Sequence, residues 1–297
     1  MGRVLVAGMA VADFIFQVDE MPTGAEKYRA RDAGVAGGGC AANAAVAIAR
    51  QGGEALLAAR LGDDPVGDLI LADLAAEGVD THLVRRAPGG MSSFSSIYVD
   101  GAGERQIMNF RGRGLTESVD WLTDTRDAQA VLTDNRWPAL TRKVLGLARA
   151  AGIPGIVDAE APVTPDNLAD ASHIAFSMQG LADLAPGAAP ADALRLARGE
   201  TDAWVCVTDG ARGVLYLDGD TLAHVPAFAI QPVDTLGAGD IWHGAFALLL
   251  AEGAQEHQAI IHANATATLK CLAFGGRKGC PDRAATETFL KENQRCN

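Results

Sequence analysis

The chain has 297 residues, of which 48% are hydrophobic and 21% are charged, and its formal net charge is −12. This length allows one large α/β domain or two smaller domains, and the composition excludes a disordered or fibrous chain. The negative charge argues against nucleic acid or an anionic membrane surface as the main partner, so an anionic substrate would need a local cluster of cations.

The N-terminal half begins with a predicted strand. Residues 3–8 form a short apolar run that ends in glycine, which is typical of a buried strand and not of a signal peptide. Asp13 follows this strand, at the end where open α/β sheets hold ligands, although a turn role explains an isolated Asp better. Residues 14–32 predict irregular or edge-strand structure.

Three consecutive glycines at 37–39 precede an Ala-rich helix predicted over residues 40–51. Glycines let the backbone approach a ligand closely, and Asn43 in the first turn could point at the same ligand. The alternative is a packing role for the glycines beside an exposed Asn43. A strand at 55–61 and a helix at 68–77 follow, which predicts right-handed parallel crossovers.

A predicted hairpin interrupts this alternation. Residues 94–100 and 104–110 flank the turn sequence Gly101-Ala102-Gly103. Together with residues 14–32, the hairpin could form a small sheet set apart from the main one. Such a layer suits a lid or a dimer surface.

Strands and helices then alternate again. Strands are predicted at 130–133, 155–157, 173–176 and 203–207, helices at 139–151, 190–198, 241–251 and 256–272, and a hairpin at 214–225 around Asp218-Gly219-Asp220. The cysteines are five and show no Cys-x-x-Cys or Cys/His ligand spacing: Cys40, Cys206, Cys271, Cys280 and Cys296. Reduced thiols in a cytoplasmic protein are therefore favoured over disulfides or a zinc site, and no apolar run reaches membrane-spanning length.

Residues 234–240 form a glycine-rich loop that opens directly into an apolar helix. Such a junction points several backbone N–H groups at one spot, and the helix dipole makes that spot attractive to an anion. A carboxylate there, Asp240, is either an ordinary helix N-cap or a base that takes a proton from a nucleophile attacking the anion.

Two stretches carry a resemblance to a known family. Residues 37–43, Gly-Gly-Gly-Cys-Ala-Ala-Asn, resemble the first signature of the ribokinase-like (PfkB) carbohydrate kinases, and residues 234–240, Asp-Thr-Leu-Gly-Ala-Gly-Asp, resemble the second. The resemblance implies an α/β fold, with a doubly wound, mostly parallel sheet, helices on both faces and a small β-sheet lid. Residues 1–13, 33–90 and 113–297 would form the core, and residues 14–32 and 91–112 the lid.

The same resemblance implies ATP-dependent phosphoryl transfer to a sugar hydroxyl. Asp240 would be the base, and the N–H groups of Gly237, Ala238 and Gly239 would form the anion hole. The implied ligand contacts are sugar hydroxyls for Asp13, Gly38 and Asn43, ATP for Thr208, Gly210, Gly213 and Gly276, and a monovalent cation such as K⁺ for Asp234.

One departure concerns Mg²⁺. The family often carries Asn-x-x-Glu after a central strand, where this chain has Ser177-Met178-Gln179-Gly180. Because Mg²⁺ keeps most of its waters and can be held by phosphates, this change does not exclude activity. Asp158 and Glu160 are weak substitutes, so the Mg²⁺ ligands are left unassigned.

The substrate prediction depends on Lys27, Gly39, Asn109 and Arg136. This set, with Gly-Gly-Arg at 275–277, resembles the sulfofructose kinase branch, which phosphorylates C1 of 6-deoxy-6-sulfofructose. By this resemblance, Lys27, Asn109 and Arg136 would bind the sulfonate, since these side chains suit an anion with three acceptor oxygens. Fructose 6-phosphate, another ketohexose or sugar phosphate, and a catalytically weak sugar- or nucleotide-binding regulator are the alternatives. A homodimer through the lid is a further expectation from the family.

Overall fold

The computed structural model describes residues 1–101 and 104–294. Its strands are β1 (Arg3–Ala7), β2 (Val11–Gln17), β3 (Asp32–Gly38), β4 (Glu54–Ala58), β5 (Arg60–Gly62), β6 (Arg85–Ala87), β7 (Phe94–Val99), β8 (Arg105–Phe110), β9 (Ala130–Asp134), β10 (Gly155–Ala159), β11 (His173–Ser177), β12 (Trp204–Thr208), β13 (Val214–Asp218) and β14 (Thr221–Val225). Its α-helices are α1 (Cys40–Arg50), α2 (Pro65–Ala76), α3 (Pro138–Ala151), α4 (Met178–Leu184), α5 (Pro190–Glu200), α6 (Ala238–Ala251), α7 (Glu256–Cys271) and α8 (Arg283–Gln294).

The main sheet has eight strands in the order β14-β13-β12-β11-β10-β9-β1-β4. The six strands from β12 to β4 are parallel, and the hairpin β13–β14 adds an antiparallel edge. This arrangement confirms the predicted α/β class with a mostly parallel sheet.

Helices cover both faces of this sheet. Val4 and Val6 of β1 lie in one core with α1, α6 and α7, whereas Leu5 and Ala7 lie in a second core with α3. Strands buried on both faces read as continuous apolar runs, which is why the short run at residues 3–8 predicted a buried strand correctly.

The second sheet, here called the lid sheet, has the order β3-β2-β7-β8. Its β7–β8 pair is the predicted hairpin, although Ala102 and Gly103 of the predicted turn lie outside the described residues. The prediction of irregular or edge-strand structure for residues 14–32 is confirmed for residues 18–31, which are irregular, and for Asp32, which begins the edge strand β3. It is wrong for residues 14–17, because β2 pairs with β3 on one side and β7 on the other. The lid sheet also takes in residues 11–13 and 33–38, which the prediction had assigned to the core.

Other boundaries also differ from the predictions. The single strand predicted over residues 55–61 divides into β4 in the main sheet and β5, which pairs with β6. Helix α2 begins at Pro65, with Asp64 as its N-cap accepting a hydrogen bond from the Gly67 N–H (2.9 Å). The helices α4 and α8 were not predicted. No helix of the described residues is long and apolar enough to cross a membrane.

Candidate active site

The two glycine-containing stretches meet at the carboxyl ends of the main-sheet strands. Asn43 in the first turn of α1 donates a hydrogen bond from Nδ2 to Oδ2 of Asp240 in the first turn of α6, at 2.6 Å. These residues are 197 positions apart in the chain. The contact joins the N-termini of two helices, where partial positive charge accumulates.

The start of α6 has the geometry of an anion-binding turn. Gly237 is its N-cap, with φ at 73°, a left-handed conformation that favours glycine. The Ala238 N–H donates to the Thr235 carbonyl oxygen at 3.2 Å, so this predicted member of the anion hole is already engaged. Within the described chain, the N–H groups of Gly237, Gly239 and Asp240 have no hydrogen-bond acceptor and are available to a ligand.

The Asp240 carboxylate lies in an environment that suits a base. Burial and the negative charge of Asp158 raise the pKa of Asp240 to about 7, although the hydrogen bond from Asn43 opposes the rise. The Sγ atom of Cys40 and carboxylate oxygens of Asp158 and Asp240 lie within 4.8 Å of one another. A carboxyl group with a pKa near neutrality can accept a proton during turnover and release it afterwards.

Arg277 supports this arrangement and was not assigned a role from the sequence. Its side chain is 2% exposed and forms an ion pair with Asp73, and Nη1 lies 3.5 Å from Oδ1 of Asn43. Donation to Oδ1 orients the Asn43 amide so that Nδ2 faces Asp240. A Cβ atom on Gly37 would overlap the Arg277 guanidinium, so the first of the three glycines makes room for this side chain.

Asp13 lies in β2 and packs against the second glycine of the run. A Cβ atom on Gly38 would overlap the Asp13 carboxylate, so glycine is required for this close approach. Burial raises the pKa of Asp13, while a hydrogen bond from Ser95 and the charge of Arg277 oppose the rise. Asn109 on β8 donates to Ser95 Oγ at 3.1 Å, which links two predicted sugar ligands through one serine.

A cavity of about 740 Å³, here called the lid cavity, lies between the lid sheet and the main sheet. Its lining includes Cys40, Arg60, Asn109, Arg111 and Arg136. Because Cys40 also neighbours Asp240, the lid cavity comes close to the N-terminus of α6, although no residue of α6 is among its described lining. The described lining therefore contains Asn109 and Arg136 of the predicted anion-binding set but not Lys27, which is exposed between β2 and β3.

Arg136 is held firmly at the wall of the lid cavity. The Asp134 carboxylate accepts hydrogen bonds from the N–H groups of Met9 (2.8 Å), Ala41 (3.2 Å) and Arg136 (2.9 Å). The Arg136 guanidinium forms an ion pair with Glu160 and donates to the Ala161 carbonyl oxygen at 2.9 Å. Part of its charge is therefore compensated within the protein.

A second cavity of about 520 Å³, here called the apolar cavity, lies on the other side of the α6 N-terminus. Its lining includes Thr208, Gly210 and Gly213, which were predicted to contact ATP, together with Ala238 and Gly239. The residue Gly276, also predicted to contact ATP, is not among the described residues of its lining. The Gly276 N–H donates to Oδ2 of Asp234 at 2.9 Å. The sequence analysis missed two further parts of the lining, Phe228 and Trp242.

The α6 N-terminus therefore lies between the two cavities: it lines the apolar cavity through Ala238 and Gly239, and it lies near the lid cavity through the contact of Asp240 with Cys40. Transfer of a group between two ligands needs two neighbouring binding sites of this kind. The model of the pfkB family carbohydrate kinases matches residues 1–283. The chain belongs to this family. It is 30% identical to a ribokinase of Bacillus subtilis, over 98% of this chain and 100% of the relative.

Two further comparisons agree on the fold and the reaction type of these kinases. The crystal structure of a candidate ribokinase from Agrobacterium tumefaciens has a TM-score of 0.92 and 37% identity, covering 99% of each chain. The structure of Arabidopsis thaliana ribokinase complexed with ribose and ATP has a TM-score of 0.88 and 25% identity, covering 98% of each chain. This protein is accordingly an ATP-dependent carbohydrate kinase, with the ribokinase fold.

A monovalent-cation site was predicted for this kinase at Asp234, but hydrogen-bond donors of the protein already contact this residue. Its carboxylate accepts hydrogen bonds from the N–H groups of Leu236 (2.9 Å), Gly275 (3.1 Å) and Gly276 (2.9 Å), and from Arg105 Nη2 (3.0 Å). The Lys270 ammonium lies 2.6 Å from the Asp234 carbonyl oxygen. The residues present do not fit a bound K⁺, because a cation already contacts each of the oxygens that would coordinate it.

The carboxylates near the α6 N-terminus are the described groups that could contact a hydrated Mg²⁺. Ser177 is not counted among these groups, because its Oγ caps α4 by accepting a hydrogen bond from the Gly180 N–H at 3.0 Å. Glu160 is paired with Arg136. Asp158 is 4% exposed, and its Oδ1 has no hydrogen-bond partner in the described chain, so this oxygen is available.

Proposed function

We propose that this kinase transfers the γ-phosphate of ATP to a primary hydroxyl of an anionic ketose, with C1 of 6-deoxy-6-sulfofructose as the preferred acceptor. The observation that carries the proposal is the set of arginines lining the lid cavity, Arg60, Arg111 and Arg136, in a chain whose net charge is −12. Basic side chains usually face solvent, so three arginines that line one cavity indicate a ligand with a negatively charged group.

Arg111 is the arginine best suited to this role. Arg60 pairs with Glu117 at 2.7 Å and stacks 4.5 Å above the Trp137 ring, and Arg136 pairs with Glu160. No carboxylate of the described chain forms an ion pair with Arg111. A planar guanidinium can make two parallel hydrogen bonds to a sulfonate, and Asn109 on the adjoining strand adds a neutral donor.

The catalytic step follows from the residues around the α6 N-terminus. Asp240 accepts the proton of the sugar hydroxyl, while the free N–H groups of Gly237 and Gly239 stabilise charge on the transferred phosphoryl group. Asn43 holds the Asp240 carboxylate, and Asp13 holds sugar hydroxyls at the lid side. Mg²⁺ supplies neutralisation of the ATP phosphates, and Asp158 is the side chain that would hold it or one of its waters.

Two other substrate classes are the alternatives. A sugar phosphate such as fructose 6-phosphate would use the same arginines. A neutral sugar such as ribose is favoured by a different observation, namely that Arg136 already has Glu160 and the Ala161 carbonyl oxygen as partners. The relatives include ribokinases and a fructokinase of Vibrio alginolyticus, 27% identical over 98% of this chain.

An ATP-consumption panel with sulfofructose, fructose 6-phosphate, fructose, ribose and adenosine tests the proposal. We expect Arg111→Met to lower kcat/KM for sulfofructose about 10–100-fold, because a charge-assisted hydrogen bond contributes about 1.5–3 kcal/mol. Turnover of neutral fructose should change less than about threefold.

Arg113→Met is the matched control, since Arg113 is exposed, near Arg111 in sequence, and not part of the described lining of the lid cavity. Equal losses for the charged and neutral sugars in Arg111→Met would refute the anion-binding role. If the wild type prefers ribose, the neutral-sugar alternative replaces sulfofructose as the proposed acceptor. Lys27→Ala in the same panel tests the remaining predicted sulfonate contact.

Dimerisation through the lid sheet is a separate proposal. Its support is a set of exposed apolar side chains on that sheet, Val35 (41% exposed), Ile107 (55%) and Met108 (74%). We expect a dimeric mass in light scattering and a monomeric mass for Met108→Asp. A monomeric wild-type protein would rule the dimer out.

The cellular location is also a proposal. The free thiols of Cys40, Cys206, Cys271 and Cys280 support a cytoplasmic location.

A further inference from the structure

Asp234 sits in the turn that leads to the anion-binding start of α6, three residues before Gly237. Its Oδ1 accepts the Leu236 N–H at 2.9 Å, and its Oδ2 accepts two N–H groups from the turn at Gly275 and Gly276. The orientation of this one carboxylate therefore determines the path of the backbone into Gly237. Whatever neutralises Asp234 also influences the shape of the anion hole.

Lys270 on α7 provides that neutralisation from inside the protein. Its side chain is 0% exposed, and Nζ lies 2.6 Å from the Asp234 carbonyl oxygen and 3.4 Å from Asp234 Oδ2. Burying an ammonium group is costly unless it is paired and hydrogen-bonded. Here both conditions are met by a single residue, and one of its two contacts is a backbone oxygen, a typical ligand of a monovalent cation.

Arg105 supplies a second cation from the lid sheet. Its Nη2 lies 3.0 Å from Asp234 Oδ1, and its side chain remains 36% exposed. Asp234 thus faces two positive side chains, one permanently buried and one carried by the lid. With both charges present, an additional monovalent cation at Asp234 would be repelled.

We propose that the Lys270 ammonium is an internal replacement for a monovalent cation, holding the 234–237 turn in its active shape so that this kinase needs no K⁺. Lys270 acts as a positioning residue, because it reaches the anion hole only through Asp234. Its N–H donors bind the carbonyl and carboxylate oxygens of Asp234, so the turn is ordered before ATP and sugar arrive.

The first test compares turnover in K⁺ and in tetramethylammonium at equal ionic strength. Wild-type turnover should differ less than about twofold between the two salts, because tetramethylammonium is too large to bind Asp234 and the wild type needs no added cation. Lys270→Ala should lose at least about tenfold in tetramethylammonium, equivalent to one charge-assisted hydrogen bond, and recover most of that loss in K⁺.

Lys270→Met is the matched control, because its neutral chain fills the space that alanine leaves open. It should be as impaired as Lys270→Ala and should not recover in K⁺. If Lys270 had only a structural role, Lys270→Ala and Lys270→Met would respond to K⁺ in the same way. Stimulation of the wild type several-fold by K⁺, or no recovery of Lys270→Ala, would overturn the proposal.

A second readout is independent of the sugar. K⁺ should raise the Tm of Lys270→Ala, and of Lys270→Ser if the alanine variant does not fold, while leaving the Tm of the wild type and of Lys270→Met unchanged. The turnover test rests on the proposed acceptor, whereas the Tm test does not. If no sugar in the panel is phosphorylated, the substrate proposal fails, and the Tm shifts still decide the role of Lys270.

Discussion

Asp240→Asn is expected to lower kcat by about 10²–10⁴-fold while leaving ATP affinity nearly unchanged, because a positioned general base contributes about that much to proton transfer. Asparagine has almost the same shape, and its Oδ1 can still accept the 2.6 Å hydrogen bond from Asn43. The variant therefore removes the base without disturbing the α6 N-terminus. ADP release measures turnover, and titration calorimetry measures ATP binding.

Asp218→Asn is the control for this experiment, since Asp218 is exposed at the end of β13. It should retain wild-type kcat and Tm. If Asp240→Asn keeps turnover within about tenfold of the wild type, the base assignment is wrong. A large loss of ATP affinity would instead mean that the substitution deforms the anion hole.

The acidic limb of the pH profile provides an independent check on the same residue. Only deprotonated Asp240 can accept the sugar proton, and its pKa is raised to about 7. Activity should therefore fall about tenfold per pH unit below that value and level off above it. Asn43→Leu removes a hydrogen bond that favours the charged carboxylate, so the limb should move to higher pH. A flat wild-type profile between pH 5.5 and 8 would contradict the assignment.

The parts of the site that the sequence predicts are those determined by local backbone chemistry. Glycines at 37–39, 237 and 239 indicate close approach or a left-handed turn, and a short polar side chain beside each stretch then has a restricted set of targets. Backbone chemistry alone left Asn43 and Asp240 with two interpretations each, and the roles predicted for them came from the resemblance to the kinase family. The fold was predictable for a related reason, because apolar strands alternating with helices have few other arrangements.

The residues that the sequence did not reveal act across long distances. Arg111 and Arg105 look like ordinary charged residues at the end of a hairpin, and Lys270 occupies a position on α7 that could equally have been exposed. Their roles depend on which elements pack together, and periodicity carries no such information. Lys27 shows the opposite situation, because a residue type that suits sulfonate lies on an exposed segment outside the described lining of the lid cavity, and its role stays a prediction.

Gly39→Ala is expected to destabilise the protein by at least about 2 kcal/mol, because Gly39 has φ at 93° and strained backbone at a non-glycine residue costs about 1–3 kcal/mol. A Cβ atom there would also overlap the Met9 carbonyl oxygen, which accepts the Ala42 N–H at 3.2 Å in the first turn of α1. The clash is with backbone, so no side-chain rotation can relieve it.

For a chain of 297 residues a loss of this size corresponds to a fall in Tm of at least roughly 3 °C. Gly34→Ala, in the strand β3 that precedes Gly39, is the matched control, since nothing lies within 4 Å of a Cβ atom added at Gly34. It should leave Tm within about 2 °C of the wild type. Because Met9 lines the lid cavity, Gly39→Ala should also raise the sugar KM at temperatures where the variant remains folded. Equal Tm values for the two alanine variants would mean that the third glycine is not required by the backbone, and that its presence before α1 has to be explained by contact with the sugar.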